Sequence, residues 1–116
     1  MEKTIIINGK QVAFKSSGAI PLRYKSQFGR DFFKDLLSLG LTELNFEGMN
    51  EQEQIEVIRQ IDFDLFYNIA WTFAKTADKS IPEPIEWLDQ FDTFPIIEIV
   101  PELTDLLTAS LMTKKK

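Results

Sequence analysis

Residues 63–78 read "FDLFYNIAWTFAKTAD", and Phe63, Leu65, Phe66, Tyr67, Ile69, Ala70, Trp71, Phe73 and Ala74 are spread almost all round a helix. A helix that is apolar on nearly every side has to be enclosed on nearly every side, so it belongs in the middle of a bundle with Trp71 in the core. The rest of the chain must supply its walls. With 116 residues, 44% of them hydrophobic, the chain can do so within one domain. The expected fold is mainly α: a small helical bundle preceded by an N-terminal β-hairpin.

The hairpin is read from "TIIINGKQVAF", where Asn8-Gly9 separates two β-prone runs and favours a two-residue type I′ turn. That turn sets Ile7 opposite Lys10, Ile5 opposite Val12 and Lys3 opposite Phe14, over about residues 3–16. Ile5, Ile7, Val12 and Phe14 then share a face that helices must cover, since a lone hairpin is marginal in water.

Helices are expected over about 20–39, 51–60, 63–77, 84–91 and 95–112. In the first region Ser16 or Ser17 can cap a helix with Pro21 in its opening turn, "FGRD" makes a bend at Gly29, and Asp31 caps a second run closed by Gly40. Phe28, Phe32, Leu36 and Leu39 are placed toward the core. "LTELNFEGM" is a connection with Gly48 as a turn residue. Asn50 and Glu53 form a capping pattern for the next helix. Asp62 would lie inside the apolar surface of a continuous helix, opposite the polar stripe Asp64, Asn68, Thr72 and Lys75. Either it caps a fresh helix, or the helix continues with Asp62 salt-bridged.

Pro82 and Pro84 stiffen the connection into "PEPIEWLDQF", which carries Trp87, Leu88 and Phe91 at i, i+1 and i+4. In "FPIIEIVPELTDLLTASLM", Pro101 is expected to break or kink the helix, and Leu103, Leu106, Leu107, Ser110 and Leu111 define an apolar face beyond it. "TKKK" reads as a solvated cationic end.

There is no cysteine and no histidine, which removes the thiol nucleophile, the thiolate and imidazole metal ligands and the usual neutral-pH base. No catalytic residue, cofactor or metal ligand is assigned, and the chain is read as not an enzyme. "DFDLFYN" has large residues where a calcium loop needs small ones. The pairs Glu83 with Glu86 and Asp89 with Asp92 read as a polar helix face rather than glycosidase acids. The formal charge of −5 opposes nucleic acid and anionic membranes. No run approaches the roughly 18 apolar residues of a membrane span, and the opening residues lack a signal-peptide core, which predicts a cytoplasmic protein.

"IDFDLFYNIAWTFAKTAD", then "IPEPIEWLDQFDTFPIIEIVPELTDLL", and the opening "IIINGKQVAFKSSGAIPLRYKSQFGRDFFKDL" resemble the phage tail assembly chaperone family of long-tailed phages and prophages of Gram-positive type. The resemblance covers nearly the whole chain and rests on the order hairpin, "FGRD", aromatic helix, "EWLDQF" and terminal amphipathic helix. It implies a protein that binds the tape measure protein, keeps it soluble and promotes tail tube polymerisation in the host cytoplasm, and that is absent from the mature virion. It also implies contact with the tail tube protein through a longer, frameshifted form, for which the lysine codons of "TKKK" are a candidate slippery run.

Such a holdase offers apolar surface to a client helix while staying soluble, and self-association through apolar helices is compatible with it. Trp87 and Leu88 are expected to lock the short helix onto the central one, whereas Phe91, Phe94, Leu107 and Leu111 are the expected partner contacts. Two other readings stand beside this one. An acidic inhibitor imitating nucleic acid would need carboxylates gathered on one face, but Lys10, Lys15, Arg23, Lys25, Arg30 and Lys34 make the first third basic. A carboxylate-only enzyme would need a pocket lined by paired acids.

Overall fold

The computed structural model describes residues 1–39, 48–59 and 62–111, excluding the side chains of 39, 57, 58, 96, 97 and 108–111. Gly40 as a helix stop, most of the 41–49 connection, the inward placement of Leu39 and the lysine tail all fall outside the described residues, as does any side-chain statement about Ser110.

The chain opens with β1 (Glu2–Ile7) and β2 (Lys10–Lys15), paired antiparallel with Ile7 opposite Lys10, Ile5 opposite Val12 and Lys3 opposite Phe14. Asn8 at φ 53° and Gly9 at φ 77° are both left-handed, as a type I′ turn demands. Ile5, Ile7 and Phe14 are buried and Val12 is half-buried, so the shared face is the covered one. Lys3 and Lys10 lie on that face too, at its margins. Lys3 Nζ pairs with Glu102 at 3.2 Å and Asp105 at 3.9 Å, while Lys10 Nζ donates to the Gln90 carbonyl at 2.7 Å.

Two helices fill the region after the hairpin: α1 (Ile20–Phe28) and α2 (Phe32–Leu39). Neither predicted serine caps α1 by the usual side-chain bond. Ala19 is the N-cap residue, and Ser17 Oγ instead accepts from the Ala19 N–H ahead of the helix. Gly29, at φ 70°, ends α1 with its N–H donated to the Lys25 carbonyl, and two residues later Asp31 Oδ1 accepts from the Lys34 N–H. The bend at "FGRD" is therefore a left-handed stop followed at once by a new cap.

α3 (Glu51–Arg59) begins with a reciprocal capping box: the Asn50 N–H donates to Glu53 at 3.1 Å, and the Glu53 N–H to Asn50 at 2.8 Å. α4 (Phe63–Ala77) is a separate helix, because Asp62 is extended and its carboxylate accepts from the N–H groups of Asp64 and Leu65. Of the two readings of Asp62, the cap is the one adopted. The polar stripe of α4 is only partly wet. Thr72 and Thr76 are buried and donate to their own i−4 carbonyls, and Lys75 Nζ reaches the Ile81 carbonyl at 2.7 Å.

α5 (Pro84–Leu88) is shorter than the expected 84–91. After Leu88 the chain tightens: the N–H groups of Gln90 and Phe91 donate three residues back, to Trp87 and Leu88. α6 (Ile96–Leu111) contains Pro101, which does not break it. Proline at this position forfeits one bond, to the Ile97 carbonyl, and the packing of Ile99, Val100, Leu103, Leu106 and Leu107 outweighs that loss.

The expected class holds: a helical bundle with an N-terminal hairpin. α4 runs through the middle, with β2, α1, α2 and α5 against it, and α6 lies against β1 and α3. One continuous cluster of buried side chains, from Ile5 to Leu107, links the hairpin with α1, α2, α4, α5 and α6. The radius of gyration, 13.7 Å, is near the roughly 13 Å of a compact chain of this length.

Candidate partner-binding surface

Phe91 and Leu107, expected as free contacts, are core residues at 7% and 0% exposure, and that part of the sequence reading is corrected. The hairpin supplies the cover. Asn8 accepts from the Thr93 N–H at 3.0 Å, Lys10 holds the Gln90 carbonyl, and the Lys10 ammonium sits 5.8 Å above the Phe91 ring. Clamped in this way, Phe91 meets Trp87 edge-on at 5.4 Å, and Phe94 lies within 5.8 Å of Tyr67, Trp87 and Phe91. Phe94 stays half-buried, and the side chain of Leu111 falls outside the described residues.

Trp87 is packed, at 2% exposure, with Phe14 of β2 as an edge-on partner at 6.4 Å. Leu88 is half-buried against the same core. The short helix is thus locked to the hairpin as much as to α4.

What remains open lies on the other side of α5. Ile85 is two residues from Trp87, about 200° round the helix, and stands 76% exposed. Beside it is an open cleft of about 520 Å³ lined by Phe28, Asn68, Glu83, Pro84, Ile85 and Glu86. Each wall has a local cause. Phe28 is the last residue of α1 and stays half-buried, its ring 5.7 Å from Trp71 beneath. The proline-rich connection is pinned along α4 by Trp71 Nε1, which donates to the Pro82 carbonyl at 2.9 Å, and by Lys75. Gln27 Nε2 donates to Glu83 at 2.7 Å, tying α1 to the start of α5 across the cleft's edge.

Glu83 and Glu86 are exposed at the rim, so the cleft combines an apolar floor with negative charge. Sequence reasoning missed Ile85 by following only the apolar positions in register with Trp87. The signal was there: an isoleucine half a turn from a core tryptophan must face outward.

The perturbed carboxylates lie elsewhere. Asp35 accepts from Tyr24 Oη at 2.7 Å and from Arg30 at 2.6 and 2.8 Å. The Arg30 guanidinium holds the Asp35 carboxyl below the usual range, and burial, reinforced by Asp35, pushes the Tyr24 hydroxyl well above it. A structural clasp between α1 and α2 accounts for both shifts. Two further hollows, near Lys10 and Trp87 and beside Thr4 and Glu98, are about 240 and 330 Å³. Among the described residues no group of acidic side chains is arranged to hold a metal ion, and no helix is long and apolar enough to cross a membrane. Comparison with family models, with curated proteins and with solved structures found no match for this chain.

Proposed function

We propose that this chain is a non-catalytic tail assembly chaperone, binding the tape measure protein, keeping it soluble and promoting tail tube polymerisation. The order of elements and the residues "FGRD", "IAWTFAKTAD" and "EWLDQF" suggest the role. The observation that carries it is the open apolar cleft with Ile85 three-quarters exposed at its mouth. A holdase needs apolar surface that its own fold leaves uncovered, together with enough charge to remain dispersed, and a net −5 supplies the second. Many weak grips repeated along a long client hold it without one tight site. On this reading the protein works in the host cytoplasm, meets the tail tube protein through a longer frameshifted form, and is left out of the finished virion.

Co-expression with the tape measure protein of the same phage or prophage tests the proposal. The client is expected in the soluble fraction only when this chain is present. Equal solubility of the client without it, or precipitation despite it, refutes the role.

A further inference from the structure

Within that chaperone reading, we infer that the cleft between α1, α4 and α5 selects client helices whose apolar stripe is flanked by lysine or arginine. The cleft is apolar through Phe28 and Pro84, with Ile85 at its mouth, so it takes the hydrophobic side chains of a helix laid across it. Glu83 and Glu86 stand exposed on the α5 wall. A helix seated there has these two carboxylates along one margin. Basic flanks are attracted to them and acidic flanks are repelled, which sets specificity more than total affinity.

The half-buried Asn68 adds an amide at the floor, able to donate to or accept from a polar group of the client. Glu83 keeps capacity for a cation although it already accepts from Gln27, because a carboxylate has about four acceptor sites. A second copy of this chain is a poorer occupant. The exposed helical surfaces nearest in kind fall short of an apolar stripe with basic flanks: Leu22 on α1 lies between Arg23 and Lys25 round the helix but is one side chain, and Phe33 with Leu37 on α2 spans a single turn with Lys34 on one side.

The test uses the full chain and two synthetic helices of about 18 residues, long enough to be helical in water. Both carry leucines at i, i+3, i+4 and i+7; one is flanked by lysines and the other by glutamates. Anisotropy of the labelled peptides should show the lysine helix binding at least about tenfold more tightly, with the preference shrinking as salt is raised from about 50 to about 500 mM. Ile85→Ser, which changes no charge, and Glu86→Lys should each weaken the lysine helix about tenfold without moving the melting temperature.

Equal binding of the two peptides, no binding of either, or indifference to Ile85→Ser overturns the inference. Self-association of the chain that is lost in Ile85→Ser assigns the cleft to a second copy and overturns it as well. The chaperone role is judged separately. If Ile85→Ser and Glu86→Lys still keep the tape measure protein soluble, the cleft assignment fails and the role stands; if the peptides bind as expected but the client precipitates, the role fails and the cleft assignment stands.

Discussion

Asp35 is 6% exposed yet carries a charge, which is tolerable because two bonds from Arg30 and one from Tyr24 satisfy it. Arg30 itself is about half exposed, so when asparagine replaces Asp35 the guanidinium that loses one acceptor can turn to water, while the remaining amide oxygen can still accept from Tyr24 Oη. The expected loss in Asp35→Asn is therefore about 1–3 kcal/mol by urea denaturation at neutral pH, the range for a weakened buried hydrogen bond rather than a lost buried ion pair. The acid limb carries the sign. A carboxyl held below its ordinary value stabilises the fold above about pH 3.9, and that contribution disappears as pH falls through the lower, folded value. Asp78, lowered by Ser80, acts in the same direction. The wild type should lose stability in that window, and Asp35→Asn should lose less, narrowing the gap between them; a constant gap at all pH values contradicts the clasp. At the N-terminus of α4, Asp62→Ala should cost about 1 kcal/mol in the same assay, because Asp62 satisfies the N–H groups of Asp64 and Leu65.

α5 shows how one short element divides its labour. Trp87 faces the hairpin and core, and Ile85 faces out, so the two positions should respond oppositely to truncation. Trp87→Ala is expected to cost about 3–5 kcal/mol and to broaden the melt, whereas Ile85→Ser should stay within about 0.5 kcal/mol of wild type in thermal denaturation. Much of this level was legible beforehand because the signals are local. Asn8-Gly9 dictates a turn that dictates a register, Asn50 and Glu53 reach only each other's backbone, and the cap, one of two readings open for Asp62, needs no partner beyond the N–H groups of Asp64 and Leu65. Two element-level outcomes were not fixed by local sequence. Pro101 was expected to break or kink α6, which runs on through it without a break, and α5 was expected to reach residue 91 but ends at Leu88. Both outcomes are decided by packing from distant parts of the chain, the apolar face of α6 in one case and the grip of Asn8 and Lys10 on residues 90–93 in the other. The same non-local grip hid Phe91 from sequence reasoning, since nothing between residues 84 and 95 announces that a hairpin some 80 positions earlier will close over it.

At the scale of the molecule, the hairpin and α6 are structural walls and not appendages. β1 lies against α6 through the Lys3 pairs, β2 lies against α4, and Phe14 reaches Trp87, so the first 15 residues bridge the central and terminal helices. The two tryptophans report on different neighbourhoods: Trp71 touches Phe28 of α1 and the Pro82 carbonyl, and Trp87 touches the hairpin. If one core joins them, a variant with Trp71→Phe, lit only by Trp87, and one with Trp87→Phe, lit only by Trp71, should each give a fluorescence urea transition that coincides with its own circular dichroism transition. Separate midpoints within either variant would mean that the hairpin side and the α1 side unfold independently. Removing residues 96–116 makes a sharper demand. If the terminal helix were a loose arm held out for a client, its loss would leave a folded remnant that merely binds less. With Ile99, Val100, Leu103, Leu106 and Leu107 all enclosed, the cut instead strips apolar cover from Ile5 and Ile7 and should abolish the cooperative transition altogether. A truncated chain that still melts sharply would place the core on α4 and the hairpin alone. Client capture would then be traced to the exposed cleft at Ile85 by single substitutions there, which leave every enclosed side chain in place.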